Sequence, residues 1–181
     1  MAKLPLITQK TQVPPEGHVA FDSIVASRGS VHGPFTMFLH CPAAAERVAH
    51  LGAFVRFEGA LDMRVRALVG MAVAREFDAL YIWGAQSGAA RTLGVPEDTI
   101  ASIRADQPAA GARDDVQAIE ATRTLLRKHR FDDATRQALI DRFGTSGLIE
   151  FTTAIGYYAM LAQTVNACEL EAGQGADLLP V

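Results

Sequence analysis

Only two cysteines, Cys41 and Cys168, occur in the 181-residue chain, far apart and in no C-x-x-C arrangement. A local dithiol is therefore excluded, and buried free thiols in a reducing compartment are expected. A basic excess is also missing: 17 Lys and Arg stand against 20 Asp and Glu, a formal charge of -3. Without surplus cations to neutralise phosphates, nucleic acid is excluded as a partner. The longest apolar stretch, 148–165, is broken by Glu150, Gln163, Gly156 and three threonines. A membrane span needs about 20 nearly uninterrupted apolar residues, so this stretch predicts a buried helix and no membrane partner. Met1-Ala2-Lys3-Leu4-Pro5 opens no apolar signal region, which predicts a cytoplasmic protein. His18 and His50 lack the spacing of a metal pair. No Gly-rich loop sits between a strand and a helix, so no cofactor or metal is expected.

Period-two alternation is absent too, while helical spacing recurs, and the chain reads as all-α. Its length suits one compact domain with a sizeable core. Hydrophobic residues at 49% and charged residues at 20% are ordinary for a globular chain. Pro42 suits the first turn of a helix running to about Phe57. Asp62 opens a helix whose Val65, Leu68, Val69, Ala72 and Val73 form one apolar stripe. Gly94 followed by Val95-Pro96-Glu97-Asp98 reads as a stop and a new start. A helix over 114–129 ends among cations that favour its dipole. Asp132 and Asp133 open a short helix closed by Gly144, and a last helix runs from Thr145 or Ser146 to about Glu169. The boundaries expected are an N-terminal extension over 1–15, a helical domain over 16–171 and a tail over 172–181. The tail is expected to fray or to lie on a neighbouring copy.

The segment Ala67 to Gln86 reads A-L-V-G-M-A-V-A-R-E-F-D-A-L-Y-I-W-G-A-Q. Upstream stand Arg28-Gly29-Ser30-Val31-His32-Gly33-Pro34-Phe35 and Leu39-His40-Cys41-Pro42, then Leu51-Gly52 and Arg56-Phe57; downstream, a Gly156-Tyr157-Tyr158 to Asn166 run. In this order the motifs resemble the carboxymuconolactone decarboxylase / alkylhydroperoxidase-D (AhpD-like) family over most of the chain. The resemblance implies a single compact all-α domain of that type and a homo-oligomer, a trimer or hexamer, with sites near subunit contacts. In the peroxidase branch of that family the central segment carries Glu, C-x-x-C and His. The corresponding positions here are Ala67, Ala79, Ile82 and Gln86, none of which can do thiol chemistry. The decarboxylase branch carries roughly Y-E-W-x-x-H, matched here by Tyr81 and Trp83, with Ile82 for the acid and Gln86 for the histidine.

Cofactor-free decarboxylation needs a proton donor for the carbanion and a cation or donor set for the carboxylate. Gln86 can orient a substrate but cannot shuttle a proton. His32, an imidazole in a Gly- and Pro-flanked turn, is the candidate acid/base, against a capping or bridging role between helices. Arg28 is the candidate carboxylate clamp, against an ordinary salt bridge. Tyr81 and Trp83 offer an aromatic wall with polar tips, and Gln86 follows about one turn later; for Trp83, plain core packing competes. His40, Glu76, Asp78 and the pair Tyr157-Tyr158 are weaker candidates. Two functions fit these residues. The first is a cofactor-independent lyase or isomerase-like enzyme on a small carboxylated lactone or related acid, with catalytic His32, Gln86 and Tyr81 and substrate-binding Arg28 and Trp83. The second is a catalytically silent small-molecule-binding or assembly protein. An enzyme should bury a titratable group beside Gln86; a silent chain should fill that space with apolar side chains around Ala67, Ala79 and Ile82.

Overall fold

The structure, a computed structural model, describes residues 4–173 and 175–180. Among them there is no strand. Eight α-helices follow one another: α1 (His18–Arg28), α2 (Phe35–Phe38), α3 (Pro42–Ala53), α4 (Met63–Glu76), α5 (Leu80–Thr92), α6 (Glu97–Arg104), α7 (Arg113–Lys128) and α8 (Asp133–Ala167). No helix of the described residues is long and apolar enough to cross a membrane.

Helix α4 is the centre. Asp62 caps it by accepting from the Arg64 amide at 2.7 Å. All ten residues from Val65 to Ala74 are buried, where one stripe was expected. A helix that is apolar on every side belongs inside, and α5, α7 and α8 surround this one. Leu68, Val69, Met71 and Val73 are fully enclosed, each contributing about 2 kcal/mol.

Between α3 and α4 the chain makes a wider turn. Residues Phe54–Glu58 form a single π-helical turn, closed by the Gly59 amide on the Phe54 carbonyl at 2.8 Å. Arg66 anchors it from α4. That side chain, only 9% exposed, donates to the carbonyls of Leu61 at 2.7 Å, Gly59 at 2.8 Å and Arg56. Glu150 of α8 takes the amides of Ala60 at 2.7 Å and Leu61 at 3.2 Å. Two buried or half-buried charges thus fix both edges of the loop, with backbone groups as partners.

Several sequence expectations need correction. The span Asp133–Ala167 is not among them: its backbone leaves helical geometry at Gly144 (φ 72°, ψ 173°), which divides α8 into the two helical segments expected. Helix α1 carries no strong sequence signal, because its apolar positions alternate with serines and exposed residues. Cys41 is exposed and Cys168 half-exposed, since each sits at a helix end, before α3 and after α8. The tail is laid on its own domain: Asp177 pairs with Arg91 at 2.9 Å and with Arg104, and Leu179 is buried. The N-terminal segment likewise contributes Ile7 and Val13 to the core.

Replacing Arg66 with Met keeps the length and removes the donors from three carbonyls. The unfolding free energy is expected to fall by about 2–3 kcal/mol, read as a lower urea midpoint; an unchanged midpoint would show that the loop holds without it.

Candidate functional site

A cavity of about 110 Å³ opens where the turn after α1, the π-turn, α5 and α8 converge. Its polar lining comes from Arg28, His32, Arg56, Tyr81, Gln86 and Tyr157, with Tyr158 beside them. No Asp, Glu or Cys takes part. Four of the five residues named from sequence therefore meet here: Arg28, His32, Tyr81 and Gln86.

Trp83 does not join them. It is fully buried in the core, under the Arg104 guanidinium at 5.7 Å from the ring centroid. Residues two apart on a helix point in different directions, so Tyr81 and Trp83 cannot form one wall. Tyr81 shares its face with Ala85, and Ile82 with Gln86, and these four line the cavity.

Arg28 ends α1, where a cation suits the helix dipole. It donates to the Ala49 carbonyl at 2.9 Å and to Ser27 Oγ at 2.6 Å, and stacks 4.4 Å over the Phe35 ring. It pairs with no carboxylate among the described residues, so the salt bridge weighed for it is not made. Its Nε is buried without a partner. Burial lowers its pKa from the ordinary value, and the neighbouring Tyr157 opposes that shift; a guanidinium remains charged throughout. Arg56 extends from the π-turn, exposed and stacked 4.9 Å over Phe57, and its guanidinium makes no hydrogen bond or ion pair among the described residues.

His32 sits on the rim, exposed, with Nδ1 3.2 Å from Ser30 Oγ. The adjacent Gly33 takes φ +58°, and a Cβ there would lie 2.7 Å from the Tyr81 hydroxyl. Only glycine combines that backbone with so close an aromatic neighbour. Gln86 lies against α4 at Gly70, where a Cβ would approach its Cγ to 2.8 Å. The Gln86 amide has no hydrogen-bond partner among the described residues. Tyr157 and Tyr158 are buried and meet edge to face, with ring centroids 5.5 Å apart. Burial raises the pKa of Tyr81 and of Tyr157, and pushes Tyr158 up to about 12; the nearby Arg28 and Arg56 oppose this for Tyr157.

The weaker candidates have other duties. Glu76 pairs with Arg127 and Asp78 with Arg75, and His40 Nε2 lies 2.8 Å from the Pro5 carbonyl. No group of three or more His, Cys, Asp or Glu residues among those described could hold a metal ion. Arg56 and the tyrosine pair are what sequence reasoning underrated. A π-turn leaves no signature in composition, yet such turns are frequent at functional sites. Ala67, Ala79 and Ile82 are buried in the core, as a silent chain would have them, but the space beside Gln86 stays open and holds buried tyrosines.

This helical arrangement is the AhpD-like fold. Three solved structures share it: an AhpD-core, uncharacterized peroxidase-related protein from Ralstonia eutropha JMP134 (12% identity, TM-score 0.77, 95% of this chain and 92% of that one); an uncharacterized peroxidase-related protein from Silicibacter sp. TM1040 (15%, 0.72, 97% and 95%); and the debrominase Bmp8, as a cysteine-to-alanine variant in complex with 2,3,4-tribromopyrrole (14%, 0.73, 96% and 94%). At these identities the likeness establishes the fold. No family model and no curated protein matches the sequence.

Burial of the tyrosines has a pH consequence. Because the Tyr158 pKa is raised in the folded state, the stability it contributes is fully present below about pH 10 and is lost as pH rises toward about 12. An alkaline titration followed by tyrosinate absorbance is expected to show all three tyrosines ionising above the ordinary midpoint near 10. A tyrosine ionising at that midpoint in the folded protein would contradict the burial described.

Proposed function

We propose that the protein is a cofactor-independent enzyme that binds a small carboxylated lactone or related organic acid and moves a proton on it, in the manner of a carbon–carbon lyase. The observation that carries this is the cavity's charge: two guanidiniums, no acid side chain, and the Gln86 amide and tyrosine hydroxyls around them. An organic carboxylate matches that set, since guanidinium donors suit its geometry. The tribromopyrrole held by a debrominase of this fold supports a ring-sized ligand. No cysteine lines the cavity, which leaves thiol peroxidase chemistry without a nucleophile.

In this proposal Arg28 and Arg56 hold a carboxylate that is not lost. Tyr81 and Gln86 orient the ring by hydrogen bonds, and His32 on the rim supplies the proton. When the reacting carboxyl leaves as CO₂, its carbon–carbon bond breaks and the electron pair passes into the conjugated system. The imidazolium of His32 then delivers a proton to that carbon and is recharged from solvent. Trp83 supports α5 from the core and has no part in binding. Leu51, Phe54 and Ile149, exposed apolar side chains, offer surface for the homo-oligomer, a trimer or hexamer, expected from the sequence. A second function, a silent binding protein, is favoured by the apolar burial of Ala67, Ala79 and Ile82.

A turnover assay over carboxylated lactones and 2-oxo acids tests the proposal. Release of CO₂ or loss of lactone absorbance is expected for the wild type. His32→Ala and Arg56→Met are each expected to cut the rate at least about tenfold, about 1.4 kcal/mol of barrier. Rates unchanged in both variants would remove these residues from the mechanism, and binding without turnover would favour the silent function.

A further inference from the structure

A second hollow, of about 250 Å³, adjoins the cationic cavity. Phe57, Met63, Ala67, Ala89 and Leu93 give it an apolar lining. Arg56, Ala85, Gln86 and Tyr158 border both spaces, so one set of side chains forms their common wall. Arg66 also borders the second hollow, but its donors are committed to the carbonyls of Arg56, Gly59 and Leu61. It therefore adds no second anion site. Neither hollow is lined by an acid.

Size links the two spaces. A water molecule takes about 30 Å³ of liquid, so the cationic cavity has room for a carboxylate on a small ring and no more. Ligand pockets commonly span about 300–1,000 Å³, and only the two hollows together reach the lower end of that range. Ala67 is what leaves the second one apolar: its side chain is a single buried methyl on α4, and a longer or charged group there would intrude. Phe57 and Met63, 56% and 61% exposed, add apolar surface to the second hollow, which Arg56 also borders.

We propose that the two hollows are one binding site for an amphipathic acid, with its carboxylate at Arg28 and Arg56 and an aliphatic or aryl tail along Phe57, Met63, Ala67, Ala89 and Leu93. The inference rests on the carboxylate-binding role given above and narrows the ligand to acids with a hydrophobic tail. The lining selects that occupant: two guanidiniums without a counter-charge at one end, no acid side chain in either lining, and an apolar hollow beside them.

Calorimetric titration of the full chain with straight-chain carboxylates from acetate to decanoate, and with the matching alcohols, tests this. Affinity is expected to rise about threefold per methylene over the middle of the series and then level off, with each alcohol at least about tenfold weaker than its acid. Ala89→Trp, which fills the second hollow from an exposed position, is expected to flatten the rise; Phe57→Ser, also exposed, should reduce it, with folding of both checked by circular dichroism. A series that binds but shows no dependence on length overturns the amphipathic ligand and leaves the carboxylate role standing. No binding by any acid, or alcohols as tight as acids, overturns both. A Phe57→Ser protein with an altered oligomeric state and an unaltered rise would make that surface a contact between copies, and the proposal would fall.

Discussion

The π-turn, α5 and α8, three of the elements around the candidate site, are placed by the burial of α4. With Val65 to Ala74 enclosed, this helix cannot move without opening the core, and α5, α7 and α8 take their positions from it. From its first turns Arg66 reaches out and holds the π-turn through three carbonyls. That turn carries Arg56. The chain of dependence therefore runs from apolar burial, through one buried cation, to the exposed cation at the cavity.

The cavity's electrostatics are one-sided, which is costly to maintain without a ligand. Arg28 loses solvent on burial and gets back two hydrogen bonds, a ring and the Tyr157 hydroxyl beside it, but no counter-charge. Several other arginines have an acid partner: Arg64 with Asp115 at 2.6 Å, Arg91 with Glu97 at 2.6 Å, Arg127 with Glu76 and Asp106. The contrast is local. Guanidiniums without a counter-charge, beside buried tyrosines and the Gln86 amide, are the feature on which the proposed carboxylate binding rests.

The fold was legible in the sequence where local signals were strong. Asp62, Pro42, Gly94 and the acidic start at Asp132 mark helix ends within a residue or two of where they lie. The motif order around Tyr81 and Arg28 anticipated the AhpD-like arrangement. What escaped was non-local. Arg56 owes its place to a π-turn held by residues ten and ninety positions away. Trp83 was misplaced because neighbouring motif letters were taken for neighbouring side chains, although two steps along a helix turn the direction well away from Tyr81. The tail's return onto α5 and α6 depends on an ion pair spanning 86 positions, which no local pattern announces.

A crystal structure of the protein with p-iodophenylbutyrate bound would test the central claim most directly, because anomalous scattering locates the iodine independently of the acid. The carboxylate is expected between Arg28 and Arg56 and the iodine beyond Gln86, towards Leu93. A carboxylate bound elsewhere, or an iodine pointing out to solvent past His32, would contradict it.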